Sequence, residues 1–339
     1  MMTALASHAR MRSLSGFESR LIRAAGTVFS RRGRFGALLV LIYHRVLPAP
    51  DPLLPDEPDA AIFEAQLELI TRNFNVLPLR EAARRLKDGT LPRRAVCITF
   101  DDGYSNNHDI ALPILKSRQV PATVFVAPGF LNGGRMFNDT VIETLRRAPP
   151  PELDLSAEGL TAFDVSTAAA RCAAIDQIIG ALKYLQPEER LRRAEAIAAR
   201  ADVELPKNLM MTDGQVMQLH RSGIEIGAHT VSHPILARLD PQTAWREVLQ
   251  SKHDLEEITG GAVRSFAYPN GRPMRDYQRI HVEQAKAAGF DLAVSTAWGA
   301  ATALSDMHQL PRIAPWDKSA RRYALRMVSS YRRRRYETV

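Results

Sequence analysis

Residues 95–100, Ala-Val-Cys-Ile-Thr-Phe, carry no charge, and the chain then sets two carboxylates side by side, Asp101 and Asp102, ahead of Gly103. A short apolar run bounded by turn residues reads as a buried strand, with Gly103 marking the turn that follows. Asp101 and Asp102 then fall on the strand's carboxyl edge. Parallel α/β folds gather their chemistry at that edge.

The rest of the chain supplies matching units. Residues 37–43 read as a first strand, which runs into Tyr43-His44-Arg45-Val46 and a proline-rich loop, so His44 shares the edge with the two carboxylates. Apolar spacing predicts helices over 63–72, 79–86 and 109–117, and the β-branched, aromatic stretch 121–126 is a third strand. Helix and strand alternate again over 213–228, 241–268 and 278–295, with a last short strand around 310–313. This alternation defines an α/β class built from parallel βαβ units. Between 131 and 207 the sequence turns to alanine- and arginine-rich helical segments without strand signal, read as a helical insertion with a scaffolding role. The expected organisation is a basic amphipathic extension over 1–36, one catalytic domain over 37–316 containing the insertion, and a basic helix or tail over 317–339.

Charge matters mainly at the ends. The 45 basic and 37 acidic residues give +8, an excess concentrated at the two termini, and with no recognition motif it does not call for a nucleic-acid partner. Leu14, Phe17, Leu21 and Val28 recur at near-helical spacing among arginines. Such a helix can lie on an anionic membrane surface; packing of this short stripe on the domain is the preferred reading, and solvated charge is preferred for the terminal arginines. Arg10, Arg12, Arg20 and Arg23 interrupt any secretory leader, and no apolar run approaches the ~20 residues of a membrane span. The cytoplasm, or the inner face of its membrane, is the expected location. Cys97 and Cys172 stand far apart, which argues against a disulfide framework, and Cys97 reads as a small core residue.

The second chemical signal is His229-Thr230-Val231-Ser232-His233, again after a strand. A catalytic divalent metal wants about three protein ligands and an open position. Asp102, His229 and His233 supply them. One carboxylate with two imidazoles suits zinc, and nickel, cobalt or iron fit similar donors. Adjacent residues diverge along an extended backbone, so Asp101 is left free as a general base for metal-activated water.

Together, Thr99-Phe100-Asp101-Asp102-Gly103-Tyr104 and His229-Thr230-Val231-Ser232-His233 resemble the first two motifs of the polysaccharide deacetylase family, the NodB-homology or carbohydrate esterase family four domain. The resemblance covers about residues 39–313 and implies a distorted (β/α) barrel with about seven parallel strands, a metal on Asp102, His229 and His233, and Asp101 as base. Two later motifs depart from the family. Ala267-Tyr268-Pro269-Asn270-Gly271 lacks the arginine that would orient the base, leaving Arg272 and Arg312 as replacements, while Asn270 keeps the main-chain N–H that would bind the oxyanion. Leu310-Pro311-Arg312-Ile313 lacks the usual histidine acid. His44 is the candidate acid, with His308 or metal-bound water as alternatives. Tyr-His-Arg-Val and Ala-Tyr-Pro are similar to the branch of exopolysaccharide deacetylases that act on poly-N-acetylglucosamine.

The resemblance therefore implies a metal-dependent hydrolase that removes N-acetyl groups from a cell-surface glycan or its precursor. Alternatives are an O-acetyl esterase, a small-amide C–N hydrolase of the same fold, or a catalytically silent glycan-binding subunit. Trp298, Tyr104, Tyr268 and Trp316 are candidates for stacking on sugar faces, Trp298 and Tyr104 foremost.

Overall fold

A computed structural model describes residues 11, 13–314 and 317–339. The strands of its main sheet are β1 (Ala37–Tyr43), β2 (Asn75–Val76), β3 (Ala95–Phe100) and β4 (Thr123–Val126), then, after a separate pair β5 (Glu152–Asp154) and β6 (Ala162–Asp164), β7 (Glu225–Ala228), β8 (Ser265–Ala267), β9 (Leu292–Val294) and β10 (Ala301–Thr302). Their order is β10-β1-β3-β4-β7-β8-β9, with β2 beside β3, and every pairing in this sheet is parallel except β1 with β10. The expected last strand is present only as single bridges, Val294 with Leu310 and Leu41 with Ile313. Those bridges join β9 back to β1, so the curled sheet closes on itself as the predicted distorted barrel.

The helices are α1 (Gly16–Ser30), α2 (Ala60–Asn73), α3 (Leu79–Lys87), α4 (Leu112–Ser117), α5 (Phe137–Arg147), α6 (Ala168–Leu182), α7 (Pro187–Ala201), α8 (Asp213–Arg221), α9 (Pro241–Thr259), α10 (Arg279–Ala287) and α11 (Ala320–Ser330). Local chemistry sets several boundaries. Thr212 and Gln215 form a capping box on α8, and α9 starts at Pro241 behind Asp240 and ends at left-handed Gly260. The helix predicted over 109–117 instead opens with a π-helical turn, Asn107–Ala111. Pro113 has no N–H for residue 109, so a regular α-helical ladder cannot form there.

Three expectations are corrected. The insertion is not purely helical: β5 and β6 pair antiparallel, placing Leu153 and Phe163 in a separate core with Val141, Ile178 and Ile197 while their neighbours face out. Three residues per strand are too few for alternation to be legible in sequence. On α1, Leu14 packs on the core, but Phe17, Leu21 and Val28 are 70%, 54% and 66% exposed. The opposite face does the packing, through Ile22, Gly26 and Ser30. Nor is the C-terminal segment merely solvated, since Tyr323 and Tyr331 are buried, Tyr331 donates to the Ala95 carbonyl at 2.8 Å, and Arg334 donates to the carbonyls of Phe29 and Phe35.

Inside the barrel, a β-carbon on Gly227 would lie 2.4 Å from Phe125 Cδ1 and 2.8 Å from Ser265 Oγ. Gly227→Ala is therefore expected to destabilise the fold by roughly 1–3 kcal/mol, the usual range for overpacking. Urea unfolding checks this; an unchanged midpoint would show that the ring has room to move.

Candidate active site

Four strand ends converge on one edge. Asp101 continues the β3 ladder by donating its N–H to Tyr43 O at 2.9 Å, and Asp102 then turns away with φ 78°, followed by Gly103 at φ 93°. The two carboxylates meet different partners, but through this left-handed turn rather than along the extended backbone expected from sequence. Asp101 accepts two hydrogen bonds from Arg312, 2.6 Å from Nη1 to Oδ1 and 2.7 Å from Nη2 to Oδ2. Arg312 is itself fully buried and fixed through Nε to Ser295 O at 3.0 Å and Nη1 to Thr99 Oγ1 at 3.3 Å. Burial alone would push the Asp101 pKa up, but the Arg312 guanidinium and His229 outweigh it and hold the carboxyl below its ordinary value. Of the two candidate arginines, then, Arg312 meets Asp101. Arg272 is exposed, and its charge bears on Lys183 instead.

Asp102, His229 and His233 offer three ligand atoms within 4.8 Å of one another. Asp102 Oδ1 lies 3.4 Å from His229 Nε2 and 3.5 Å from His233 Nε2. His229 Nδ1 is 2.7 Å from Ala267 O, and because a carbonyl only accepts, Nδ1 carries the proton and Nε2 of the neutral ring presents a lone pair. Two acceptors thus face each other in a buried place, and Asp102 Oδ1 has no hydrogen-bond partner. That arrangement calls for a cation between them, and the donor set fits a metal ion. Burial drives the His233 pKa down to about 3, which keeps this ring neutral and able to ligate. Burial also opposes charge on His229, but Asp101 and Asp102 prevail and raise it. Asp102 is pushed up by burial and down, more strongly, by the imidazoles.

The turn between the histidines is held from α9. Glu247 accepts from the N–H groups of Val231 and Ser232 at 2.8 and 2.9 Å and from Ser232 Oγ at 2.7 Å. These bonds anchor a backbone that takes positive φ at Thr230 (61°) and His233 (51°). Sequence offers no signal for Glu247, which is one acid among several on its helix.

The other predicted residues divide. His44 is near enough for its charge to act on Asp101, Asp102 and Glu57, and its carbonyl accepts from Asn107 Nδ2 at 2.8 Å. His308 is tied through Nε2 to Phe290 O at 2.9 Å, ahead of β9 and thus toward the opposite edge, so it cannot serve as the acid. Asn270 takes φ 57° in its loop. Trp298 is half-buried against the core, and Trp316 lies outside the described residues. Tyr104 and Tyr268 are buried, the first beneath Arg45 at 4.6 Å and the second stacked on Tyr277 at 3.9 Å between centroids. With their faces already covered by protein, neither presents a stacking platform to a sugar.

Sequence reading missed the insertion's contribution. Asp139, in the first turn of α5, accepts from Tyr104 Oη at 3.1 Å and lies 3.6 Å from Arg45 Nη1. Arg190 of α7 reaches His233 O at 3.5 Å. Burial, with the charge of Asp102 adding and Arg45 opposing, pushes the Asp139 pKa up to about 7. A carboxyl whose pKa is raised on folding takes up a proton as it folds, so stability falls as pH rises between its unfolded value and about 7. Asp139→Asn removes that slope. The variant is expected to gain stability relative to the parent from pH 4 to pH 7, read as the difference between their urea midpoints; a pH-independent difference would refute the raised pKa.

The family model for polysaccharide deacetylase matches residues 88–148 and 196–293, on either side of most of the insertion, so the chain carries a polysaccharide deacetylase domain over those residues. Among curated relatives, the putative polysaccharide deacetylase YxkH of Bacillus subtilis is 23% identical over 278 residues, 81% of this chain and 70% of that protein. The poly-beta-1,6-N-acetyl-D-glucosamine N-deacetylase of Staphylococcus aureus is 35% identical over 77 residues, 22% of this chain and only 27% of the relative. Among solved structures, the Streptococcus pyogenes deacetylase PplD in complex with acetate has a TM-score of 0.54 at 20% identity, covering 82% of this chain and 92% of that one. IcaB from Ammonifex degensii has a TM-score of 0.54 at 20% identity, covering 87% and 98%. At such identities the likeness is one of fold. Among the described residues, no helix is long and apolar enough to cross a membrane.

Proposed function

We propose that this protein is a metal-dependent N-deacetylase acting on an N-acetylated sugar of a cell-surface polysaccharide or its precursor. The observation that carries this reading is Asp101, clamped by Arg312 beside the unsatisfied Asp102-His229-His233 group. Asp102, His229 and His233 would hold zinc, the ion best suited to one carboxylate and two imidazoles, although nickel, cobalt or iron accept similar donors. The ion supplies a Lewis acid that acidifies water and draws charge from a carbonyl oxygen. Asp101 takes the proton from the attacking water, and the paired bonds from Arg312 keep this carboxylate ionised and aimed. The main-chain N–H of Asn270 is the proposed donor to the oxyanion. His44 gives a proton to the departing nitrogen as the C–N bond breaks, which yields acetate and an amine.

The test compares the zinc-loaded protein on N-acetylglucosamine oligomers and on an O-acetylated xylan, with Asp101→Asn and His44→Ala as controls. Acetate together with free amine from the first substrate is expected. Activity on the xylan alone would favour the O-acetyl esterase, and failure to take up metal at one ion per chain would favour a silent glycan-binding subunit.

We further assign to α1 a peripheral contact with an anionic membrane. Its outward stripe of Phe17, Leu21 and Val28 is flanked by Arg20 and Arg31, which form no ion pair among the described residues. Flotation with phosphatidylglycerol vesicles is expected to carry the parent upward, with phosphatidylcholine vesicles and the Phe17→Glu/Leu21→Glu variant much less so. Equal flotation of parent and variant would exclude the stripe.

A further inference from the structure

Beside the site lies a group of cations that the reaction just described does not use. Arg275 Cζ, Arg238 Cζ and Lys183 Nζ stand 4.8, 5.7 and 6.0 Å from the centroid of one ring, that of Tyr184. Arg272 and Arg190 are close enough for their charges, with that of Arg275, to act on Lys183. No ion pair joins any of these five side chains to an acid among the described residues; the nearest carboxylate in electrostatic terms is Asp276, which accepts the main-chain N–H of Arg272 at 3.0 Å and whose Oδ1 is buried without a partner. Burial and the neighbouring guanidinium groups lower the Lys183 pKa. Asp276 opposes these effects on Lys183, but it is one carboxylate among five cations; the repulsion left among them costs free energy in the unliganded protein, and a bound anion relieves that cost.

The cluster is also tied to the reacting edge. Arg190 lies beneath it, stacked on Phe137 at 4.4 Å, and reaches the carbonyl of His233 at 3.5 Å. Arg238 ends the short helical turn Leu236–Arg238 that follows His233. Arg272 stands two residues beyond Asn270, and the two loops are joined by the bond from Ala237 N–H to Asp276 O at 3.0 Å. Lys183, Tyr184 and Arg190 come from the insertion. The cluster is therefore carried by segments that adjoin the His233 and Asn270 loops.

We propose that the Lys183-Arg238-Arg272-Arg275 cluster around Tyr184 is an anion subsite, and that the substrate is an acidic N-acetylated glycan or a pyrophosphate-linked sugar rather than a neutral polymer. The Tyr184 ring gathers Arg275 and Arg238 against it, and these cations meet the carboxylate or phosphate attached to the sugar. This assignment rests on the deacetylase reading above and adds the substrate's charge to it.

The zinc-loaded full chain is assayed for acetate release from neutral chitotetraose peracetylated only on nitrogen, from a hyaluronan tetrasaccharide, which alternates N-acetylglucosamine with glucuronate, and from UDP-N-acetylglucosamine. The expected result is a kcat/KM about tenfold or more in favour of at least one charged substrate, carried by KM and shrinking as salt rises from 50 to 500 mM. A preference for hyaluronan identifies the carboxylate source, and a preference for the nucleotide sugar identifies pyrophosphate. Arg238→Gln/Arg275→Gln should collapse the ratio of charged to neutral substrate toward one. Equal kcat/KM for all three, or a ratio unmoved in the variant, overturns the subsite. Should no substrate release acetate, the deacetylase reading fails by itself. Calorimetric binding of the hyaluronan tetrasaccharide and of inorganic pyrophosphate to parent and variant then decides the subsite separately: binding lost in the variant supports it, and no binding to the parent or equal binding to both overturns it.

Discussion

Asp101→Asn is expected to lower kcat for acetate release by about 10²–10⁴-fold, the range that a positioned general base contributes, while metal uptake stays at one ion per chain. Asparagine keeps the shape of aspartate and one acceptor oxygen for Arg312, so the barrel should survive the change, but it cannot take a proton from water. The ligand atoms of Asp102, His229 and His233 are untouched, which is why metal stoichiometry separates loss of the base from loss of the site. KM should move little, because the role proposed for Asp101 is toward the attacking water rather than the sugar. Activity within tenfold of the parent, with metal bound, would remove Asp101 from the role of base.

Arg312→Met is expected to be costly in a different way. The guanidinium is fully buried and makes a two-pronged pair with Asp101, so its removal strands a buried carboxylate. Breaking such a pair from one side costs roughly 3–5 kcal/mol, whereas replacing both partners with apolar groups is much milder. The double variant Arg312→Met/Asp101→Leu should therefore unfold at a higher urea concentration than Arg312→Met alone. The pH dependence has a definite sign. In the parent, the lowered Asp101 pKa contributes stability above the unfolded carboxylate value, and that contribution is lost as pH falls through the lower folded value. In Arg312→Met, burial acts without its counterweight and the pKa rises, so the stability deficit should be largest at neutral pH and shrink toward pH 3. A deficit that does not vary with pH would mean that packing, not charge, is what Arg312 supplies.

Much of this was legible in the chain because the informative segments are governed locally. Residues 95–100 are uniformly apolar and become β3 over that same span, and Thr212 and Asp240 cap α8 and α9 where a side-chain oxygen can reach the first free N–H groups. The Asp102-His229-His233 group was readable because each member follows a strand, and parallel strands bring their ends to one edge. What escaped notice depends on distant approach. Nothing near Asp139 or Arg190 in sequence says that the insertion folds against the His44 and His233 loops. Tyr104 is a candidate sugar platform only because it follows the first motif, with a core role the more expected one, and Arg45 and Asp139 do close over it. On α1, two apolar stripes compete, and only the body of the protein decides which one is covered.

Arg312 stands on the segment that bridges β9 to β1, and its partner Asp101 is 211 residues earlier in the chain. Closing the sheet and orienting Asp101, the proposed base, are thus one event. Contacts this far apart in sequence carry a large loop-closure cost and tend to form late in folding. During synthesis the ligand set, complete by residue 233, can assemble well before the base acquires its clamp. A chain emerging from the ribosome would pass through a stage in which a metal ion can be captured and the barrel is still open, and hydrolysis would begin only when the last stretch docks. Under the proposed mechanism, catalytic competence reports on the completeness of the fold.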